Sequence, residues 1–510
     1  MYLNQKIVIG KNGDEELFII PKMANRHGVI TGASGSGKTT TVKVMAEGFS
    51  AAGIPVFYVD VKGDLASICK KGEASEKIDE RLDTLKLKDE FTYQSFPTVF
   101  FDVYQKLGHP IRTTISNISP RLLSRMLALS DAQEGVLAIV FQIAEDEEMK
   151  LNDLGDLKSL LQHVADNREE YVSKYGNITA QSIGGIQRNV LMLQQEGGDY
   201  FFGKPELQLF DLLQYDSNGC GFVNVLDAQE LFKKPTLYAV FLIWLLNYLF
   251  DSLPEVGDLD RPKLVLFLDE AHLIFSEMSS ILIKQIIQVV KLIRSKGVGV
   301  YFISQSPSDI PDEILAQLGN KVQHVLRSYT PSDEKAIKAA ANSFRTNPEF
   351  KTEEAIKVLA TGEALVSFLN ERGEPNVVER AMILPPQSFM GTISDSERDQ
   401  VIRSSRIYSK YETVMDEVSA TEKVDAAKKE KEERLAAEAK AKEEAIEAEK
   451  KAKEEAKQKE KEEKEKKKLE EKKQKEKERM VKKVTNSVTN KVIGKVTTKV
   501  VNSVWKSIFK

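Results

Sequence analysis

The eight residues Gly32-Ala33-Ser34-Gly35-Ser36-Gly37-Lys38-Thr39 fit the pattern G-x-x-x-x-G-K-[ST] at every fixed position. Glycines at those places let backbone N–H groups turn inward around an anion, and a helix starting behind them adds its positive end. Lys38 is placed to reach the β- and γ-phosphates of a nucleotide, and the Thr39 hydroxyl to ligate Mg²⁺. The flanks agree with that use. Gly28-Val29-Ile30-Thr31 reads as a strand before the loop, and residues 39–52 read as a helix after it. The expected nucleotide cradle is therefore Gly32, Ala33, Ser34, Gly35, Ser36, Gly37, Lys38, Thr39 and Thr40.

Further along, apolar runs recur without polar alternation: Pro55-Val56-Phe57-Tyr58-Val59-Asp60, Thr98-Val99-Phe100-Phe101-Asp102, Gly221-Phe222-Val223-Asn224-Val225-Leu226, Leu264-Val265-Leu266-Phe267-Leu268 and Gly299-Val300-Tyr301-Phe302-Ile303. Such runs suit strands covered on both faces, as in a parallel sheet, and helical patterns lie between several of them. The fold class is α/β with a mostly parallel sheet. Asn12-Gly13, between two short apolar runs, signals a hairpin ahead of it.

The run Leu264 to Leu268 ends in Asp269-Glu270. A carboxylate ending a buried strand sits beside the loop's cation, so Asp269 is the expected metal-side acid. Glu270 is suited to act as the general base on the attacking water, an acid that a binding-only switch does not need. Gln305, just past the strand that ends at Ile303, either orients water and senses the γ-phosphate or caps the strand. Asp60 either joins the nucleotide site or caps its own turn. Arg26, twelve residues before Lys38, and Arg294, just before Ser295-Lys296-Gly297, either stabilise transition-state charge or are surface arginines.

Composition narrows the class. The chain has 510 residues, is 41% hydrophobic and carries a net charge of −4. That figure hides an uneven distribution. Residues 421–480 hold 22 basic and 20 acidic residues, residues 481–510 hold seven lysines and no acid, and residues 1–420 have a net charge of −13. Two cysteines, Cys69 and Cys220, cannot make a disulfide scaffold or a zinc ribbon, and the five histidines show no metal-ligand spacing. No signal-type h-region opens the sequence. The longest apolar stretch, residues 237–250, is too short to span a bilayer, so no transmembrane segment is expected and the location is cytoplasmic. The expected organisation is an N-terminal hairpin and first part of the core (1–103), a helical insertion (104–219), the second part of the core (220–386), a linker (387–420), a charged helical arm (421–480) and a basic tip (481–510). The arm lacks an apolar seam, which favours a solvated helix laced by i,i+4 ion pairs over a coiled coil.

Asp269-Glu270-Ala271-His272 spells the DEAH signature of superfamily 2 helicases, but the later motif of that class is missing. The ordered set Asn25-Arg26-His27-Gly28, Asp60-Val61-Lys62-Gly63-Asp64, Leu268-Asp269-Glu270-Ala271-His272 and Ile303-Ser304-Gln305-Ser306-Pro307 instead resembles the HerA/FtsK branch of RecA-like motor ATPases. Within it the sequence is most similar to the bacterial YjgR-like group with its HerA C-terminal-like domain, over residues 6–386. The resemblance implies a RecA-like fold, an ATP and Mg²⁺ site built by Lys38, Thr39, Asp269, Glu270 and Gln305, and a ring, expected to be hexameric. It also implies that Arg26 acts in trans across the ring interface, with Arg294 as second candidate. HerA carries an N-terminal barrel that docks a nuclease. Here 31 residues precede the loop, so a HerA-style nuclease partner is not expected.

The expected activity is an ATP-driven ring motor acting on DNA. The rival is a nucleotide-gated assembly ATPase that engages a protein partner through its C-terminal arm. In the basic tip, Val484, Val488, Val492, Val496, Val500, Val504 and Ile508 recur every four residues, with Trp505 and Phe509 near the end. That stripe fits protein packing, an anionic membrane surface or nucleic acid.

Overall fold

Alternate residues of the strand Val56–Asp60 go to opposite cores. Phe57 and Val59 join one buried cluster, and Val56 and Tyr58 join another, so the strand is sandwiched on both faces. The same holds for the strands Thr98–Asp102, Val223–Asp227, Leu264–Leu268 and Val298–Ser304 of its sheet, seen in a computed structural model that describes residues 1–415 and 417–489. In chain order the described strands are β1 (Tyr2–Leu3), β2 (Lys6–Asn12), β3 (Glu15–Ile19), β4 (Gly28–Thr31), β5 (Val56–Asp60), β6 (Thr98–Asp102) and β7 (His109–Pro110). There follow β8 (Val223–Asp227), β9 (Leu264–Leu268), β10 (Val298–Ser304), β11 (Asn320–Gln323), β12 (Glu363–Ser367) and β13 (Glu379–Ile383). The spatial order is β1-β2-β13-β12-β11-β4-β10-β9-β5-β8-β6-β7, with β3 on β2. From β11 to β7 every pairing is parallel, and from β12 outward every pairing is antiparallel. The N-terminal hairpin turns at Gly13 (φ 59°) and adds its strands to this sheet through β13.

Helix Lys38–Ala51 covers one face through Val42, Met45, Ala46 and Phe49. Helices Pro235–Ser252 and Ser280–Ile293 cover the other. The first of these is buried at every residue from Leu237 to Leu246, which explains its near-continuous apolar sequence. Each such Leu or Phe contributes roughly 1.5–3 kcal/mol by leaving water. Among the described residues no helix is long and apolar enough to cross a membrane.

Between β7 and β8 the chain forms seven helices from Pro120 to Leu212, whose apolar faces join the Pro235–Ser252 core. Residues 387–420, whose composition suggests a linker, are packed onto the body rather than loose. Arg398 reaches Asp227, Tyr411 is fully buried with its hydroxyl on Asp211, and Ser419 Oγ donates to Asp156 at 2.6 Å. The compact unit accordingly runs from Met1 to Val424.

Helix Ala420–Thr489 carries the charged arm. Lys451 pairs with Glu447 at 3.0 Å, Lys453 with Glu449 at 2.6 Å and Lys464 with Glu460 at 2.7 Å, each with Glu on the N-terminal side, the favourable order. Leu435, Ile446 and Leu469 are exposed. Most of the basic tip, residues 490–510 with Trp505 and Phe509, lies outside the described residues.

Candidate active site

β4 delivers the chain to Gly32, where the neighbouring strands seize it. Gly32 N–H donates to the Gln305 carbonyl at 3.2 Å and Ala33 N–H to the Val325 carbonyl at 2.9 Å. A Cβ on Gly32 would stand 2.5 Å from the His324 Cβ, so only glycine fits. Gly37 (φ 107°) makes the left-handed turn that starts the helix at Lys38, and a side chain there would be strained. The helix start is fixed from behind by a residue that sequence spacing did not single out. The buried His324 links Thr41 Oγ1, 2.8 Å from its Nε2, to the Glu363 carbonyl, 2.9 Å from its Nδ1. Burial pushes the His324 pKa down to about 4, so the ring is neutral at ordinary pH.

Lys38 folds back over the loop, donating to the carbonyls of Gly32 at 2.5 Å and Ala33 at 3.0 Å. Its pKa is lowered by burial first and by the charge of Lys62 next, against the pull of Glu270 and Asp269. Ser36 Oγ is buried without a hydrogen-bond partner. Ser34 and Gly35 are exposed, and Thr39 and Thr40 are half-buried.

The acids arrive from β9, which runs parallel to both β10 and β5. Asp269 is buried and accepts the Glu270 N–H at 2.9 Å. Burial, then the Glu270 charge, raises its pKa to about 6. Such a carboxylate is short of positive charge. With the Thr39 hydroxyl, which donates to Asp64 Oδ2 at 3.4 Å, it offers the hard oxygen donors that suit Mg²⁺. Glu270 has φ 47° and ψ 50°, a left-handed backbone unusual for a non-glycine residue and the kind of strain held at functional sites. Its carboxylate is buried and ion-paired through Oε1 with Lys62. Oε2 stands 3.1 Å from His272 Nδ1 without forming a hydrogen bond.

The remaining candidates sort by position. Gln305 holds the loop with its backbone carbonyl, and its side chain is exposed beside it. Asp60 spends both carboxylate oxygens on its own turn, accepting N–H bonds from Lys62, Gly63 and Asp64 at Oδ1 and from Leu65 at Oδ2. Arg26 ends the turn Pro21–Arg26 ahead of β4, and Arg294 follows helix Ser280–Ile293 ahead of β10. Both therefore lie at the end of the sheet opposite the phosphate loop. They lie near each other, since the Arg294 pKa is lowered by burial and then by the Arg26 charge. Neither forms a salt bridge among the described residues.

A phosphate loop, a strand-borne acid pair and a parallel sheet between helical layers define a P-loop ATPase with a RecA-like core. The chain belongs to the helicase HerA-like C-terminal family, whose sequence model matches residues 5–509. It is 23% identical over 411 residues to the DNA double-strand break repair helicase HerA of Sulfurisphaera tokodaii, covering 77% of this chain and 71% of that one. To the protein of the same name from Saccharolobus solfataricus it is 21% identical over 407 residues, covering 77% and 70%. In fold it is similar to the plasmid coupling protein TrwB in complex with the ATP analogue ADPNP (TM-score 0.51, 13% identity, 78% of this chain and 92% of that one).

Proposed function

We propose that this chain is an ATP-hydrolysing motor that assembles as a hexameric ring and moves DNA. The carrying observation is the placement of Arg26 and Arg294 across the full length of β4 and β10 from their own phosphate loop. Neither can serve its own site, whereas a ring brings that edge of one subunit to the loop of the next. The curated relatives are named DNA double-strand break repair helicases, which supports DNA as the substrate.

In this mechanism the loop amides and Lys38 hold the β- and γ-phosphates of ATP. Glu270 takes a proton from water as the water oxygen bonds to the γ-phosphorus. The bond from that phosphorus to the bridging oxygen breaks, and ADP leaves with the electron pair. Mg²⁺, held by Thr39 and Asp269, would neutralise charge on the phosphate oxygens. The exposed Gln305 side chain orients the water, and Arg26 of a neighbour, with Arg294 beside it, stabilises the charge of the transition state.

The net charge of −13 over residues 1–420 requires any DNA-binding surface to be local, such as a channel lining. The test is the ATPase rate with and without double-stranded DNA over a salt series. Stimulation that fades as salt rises is expected. A rate indifferent to DNA would replace the motor with a nucleotide-gated switch that acts on a protein partner through the arm.

A further inference from the structure

Lys62 has no place in the phosphate chemistry set out above, yet it is the residue that holds Glu270. It sits in the turn after β5 whose amides are clamped by Asp60, at 3.2, 2.7 and 3.2 Å to Oδ1 and 3.0 Å to Oδ2. β5 and β9 are parallel neighbours with Val59 opposite Leu268, so this turn and the acids after β9 emerge side by side. The Lys62 ammonium is ion-paired with Glu270 Oε1, and its side chain is 47% exposed against 9% for Glu270. Lys38, resting on the loop carbonyls, lies within reach of the charges of Lys62, Glu270 and Asp269. Two ammonium groups and two carboxylates therefore cluster beside the phosphate loop.

Lys62 occupies one Glu270 oxygen, and the other, Oε2, is buried against His272, so the paired carboxylate offers no oxygen open to an attacking water. We propose that Lys62 gates Glu270: it holds the carboxylate while no nucleotide is bound and transfers to the γ-phosphate of ATP, freeing the base only when substrate is in place. This rests on Glu270 acting as the base. The clamped turn makes the transfer local. Asp60 fixes the backbone, and the flexible, half-exposed lysine stem swings between two neighbouring anions. ADP has no γ-phosphate and leaves the ion pair intact, so Lys62 also separates ATP from ADP.

The test is equilibrium binding of a non-hydrolysable ATP analogue and of ADP, each with Mg²⁺, to the wild type, Lys62→Met, Glu270→Gln and the double variant. Lys62→Met is expected to lose roughly tenfold or more in affinity for the analogue, the scale of a charge-assisted hydrogen bond, with ADP nearly unchanged. Glu270→Gln is expected to bind the analogue more tightly, since the ammonium is no longer held, and the gain should vanish when Lys62 is absent. Lys62→Arg, which keeps the charge, should retain part of the discrimination. Equal weakening of both nucleotides by Lys62→Met, or a Glu270→Gln gain that persists without Lys62, overturns the gate and leaves Lys62 as a prop for its turn. In single-turnover hydrolysis, a wild-type rate for Glu270→Gln overturns the base and the gate with it. A failed binding cycle alongside slow Glu270→Gln turnover overturns the gate alone.

Discussion

The Arg398 guanidinium stands 3.3 Å from Asp227 Oδ2, and both groups are buried. Arg398 also donates to the Leu107 carbonyl at 3.2 Å and lies over the Phe100 ring at 4.8 Å. It fastens residues 387–424 across the ends of β6 and β8. At the start of the segment, the buried Glu47 on the phosphate-loop helix accepts the N–H groups of Gln387 at 2.8 Å and Ser388 at 3.0 Å. Farther on, Lys410 and Tyr411 engage Asp211 in the helical insertion. One segment thus ties the nucleotide helix, the strand ends and the insertion together.

Removing one partner of such a buried pair strands the other charge, at a cost of about 3–5 kcal/mol. Arg398→Ala should lower the unfolding free energy by that amount in denaturant titrations. A loss under about 1 kcal/mol would mean that the segment is held elsewhere.

At the phosphate loop, Lys38→Ala removes the cation facing the β- and γ-phosphates and should abolish measurable nucleotide binding in fluorescence titration. Glu270→Gln keeps every phosphate contact and should bind ATP while hydrolysing it at least ~100-fold more slowly, the scale of a lost general base. Normal turnover by Glu270→Gln would remove it from the chemistry.

Asp269 supplies a pH dependence. Its folded pKa of about 6 is raised first by burial and then by Glu270. A raised acid contributes stability that is present in full below its unfolded pKa of about 3.9 and is lost as pH rises through about 6. Mg²⁺ needs the ionised carboxylate, so it relieves that loss above pH 6 and competes with a proton below it. Added Mg²⁺ should therefore raise the melting temperature more at pH 7.5 than at pH 5. Asp269→Asn should flatten the difference, and a shift equal at both pH values would exclude Asp269 as the metal-side acid.

The phosphate loop and the Asp269-Glu270 pair were legible because their chemistry needs fixed residues at fixed local spacing, and the two-sided burial of β5, β8, β9 and β10 writes itself as unbroken apolar runs. Lys62 was not, although it lies two residues past a strand-end Asp. What brings it to Glu270 is the pairing of β5 with β9, a contact between residues some 200 apart that no local pattern carries. The role of Asp60 was ambiguous for a related reason, since turn caps and second-layer site residues use the same carboxylate at the same strand end. Residues 387–420 passed for a linker because their anchors, Arg398, Ile407, Tyr411 and Ser419, are sparse, partly polar and without helical or strand period.

The last prediction concerns the pair at the far end of the sheet. Burial and then the Arg26 charge lower the Arg294 pKa, against the pull of Asp258, and no carboxylate among the described residues forms a salt bridge with either arginine. Two neighbouring guanidinium groups that lack an ion pair are well placed to receive an anion brought from outside. The γ-phosphate in a neighbouring subunit is such an anion. If Arg26 acts there, Arg26→Ala and Glu270→Gln rings should each be nearly inactive. Mixed rings should recover part of the ATPase rate, because some interfaces then join an intact arginine to an intact glutamate. With equal mixing and random assembly, about a quarter of the interfaces combine the two wild-type residues, and recovery should follow that fraction as the mixing ratio is varied. No recovery in rings shown by mass to be mixed would place Arg26 outside the neighbour's site, and a monomer by light scattering with ATP and Mg²⁺ present would remove the ring itself.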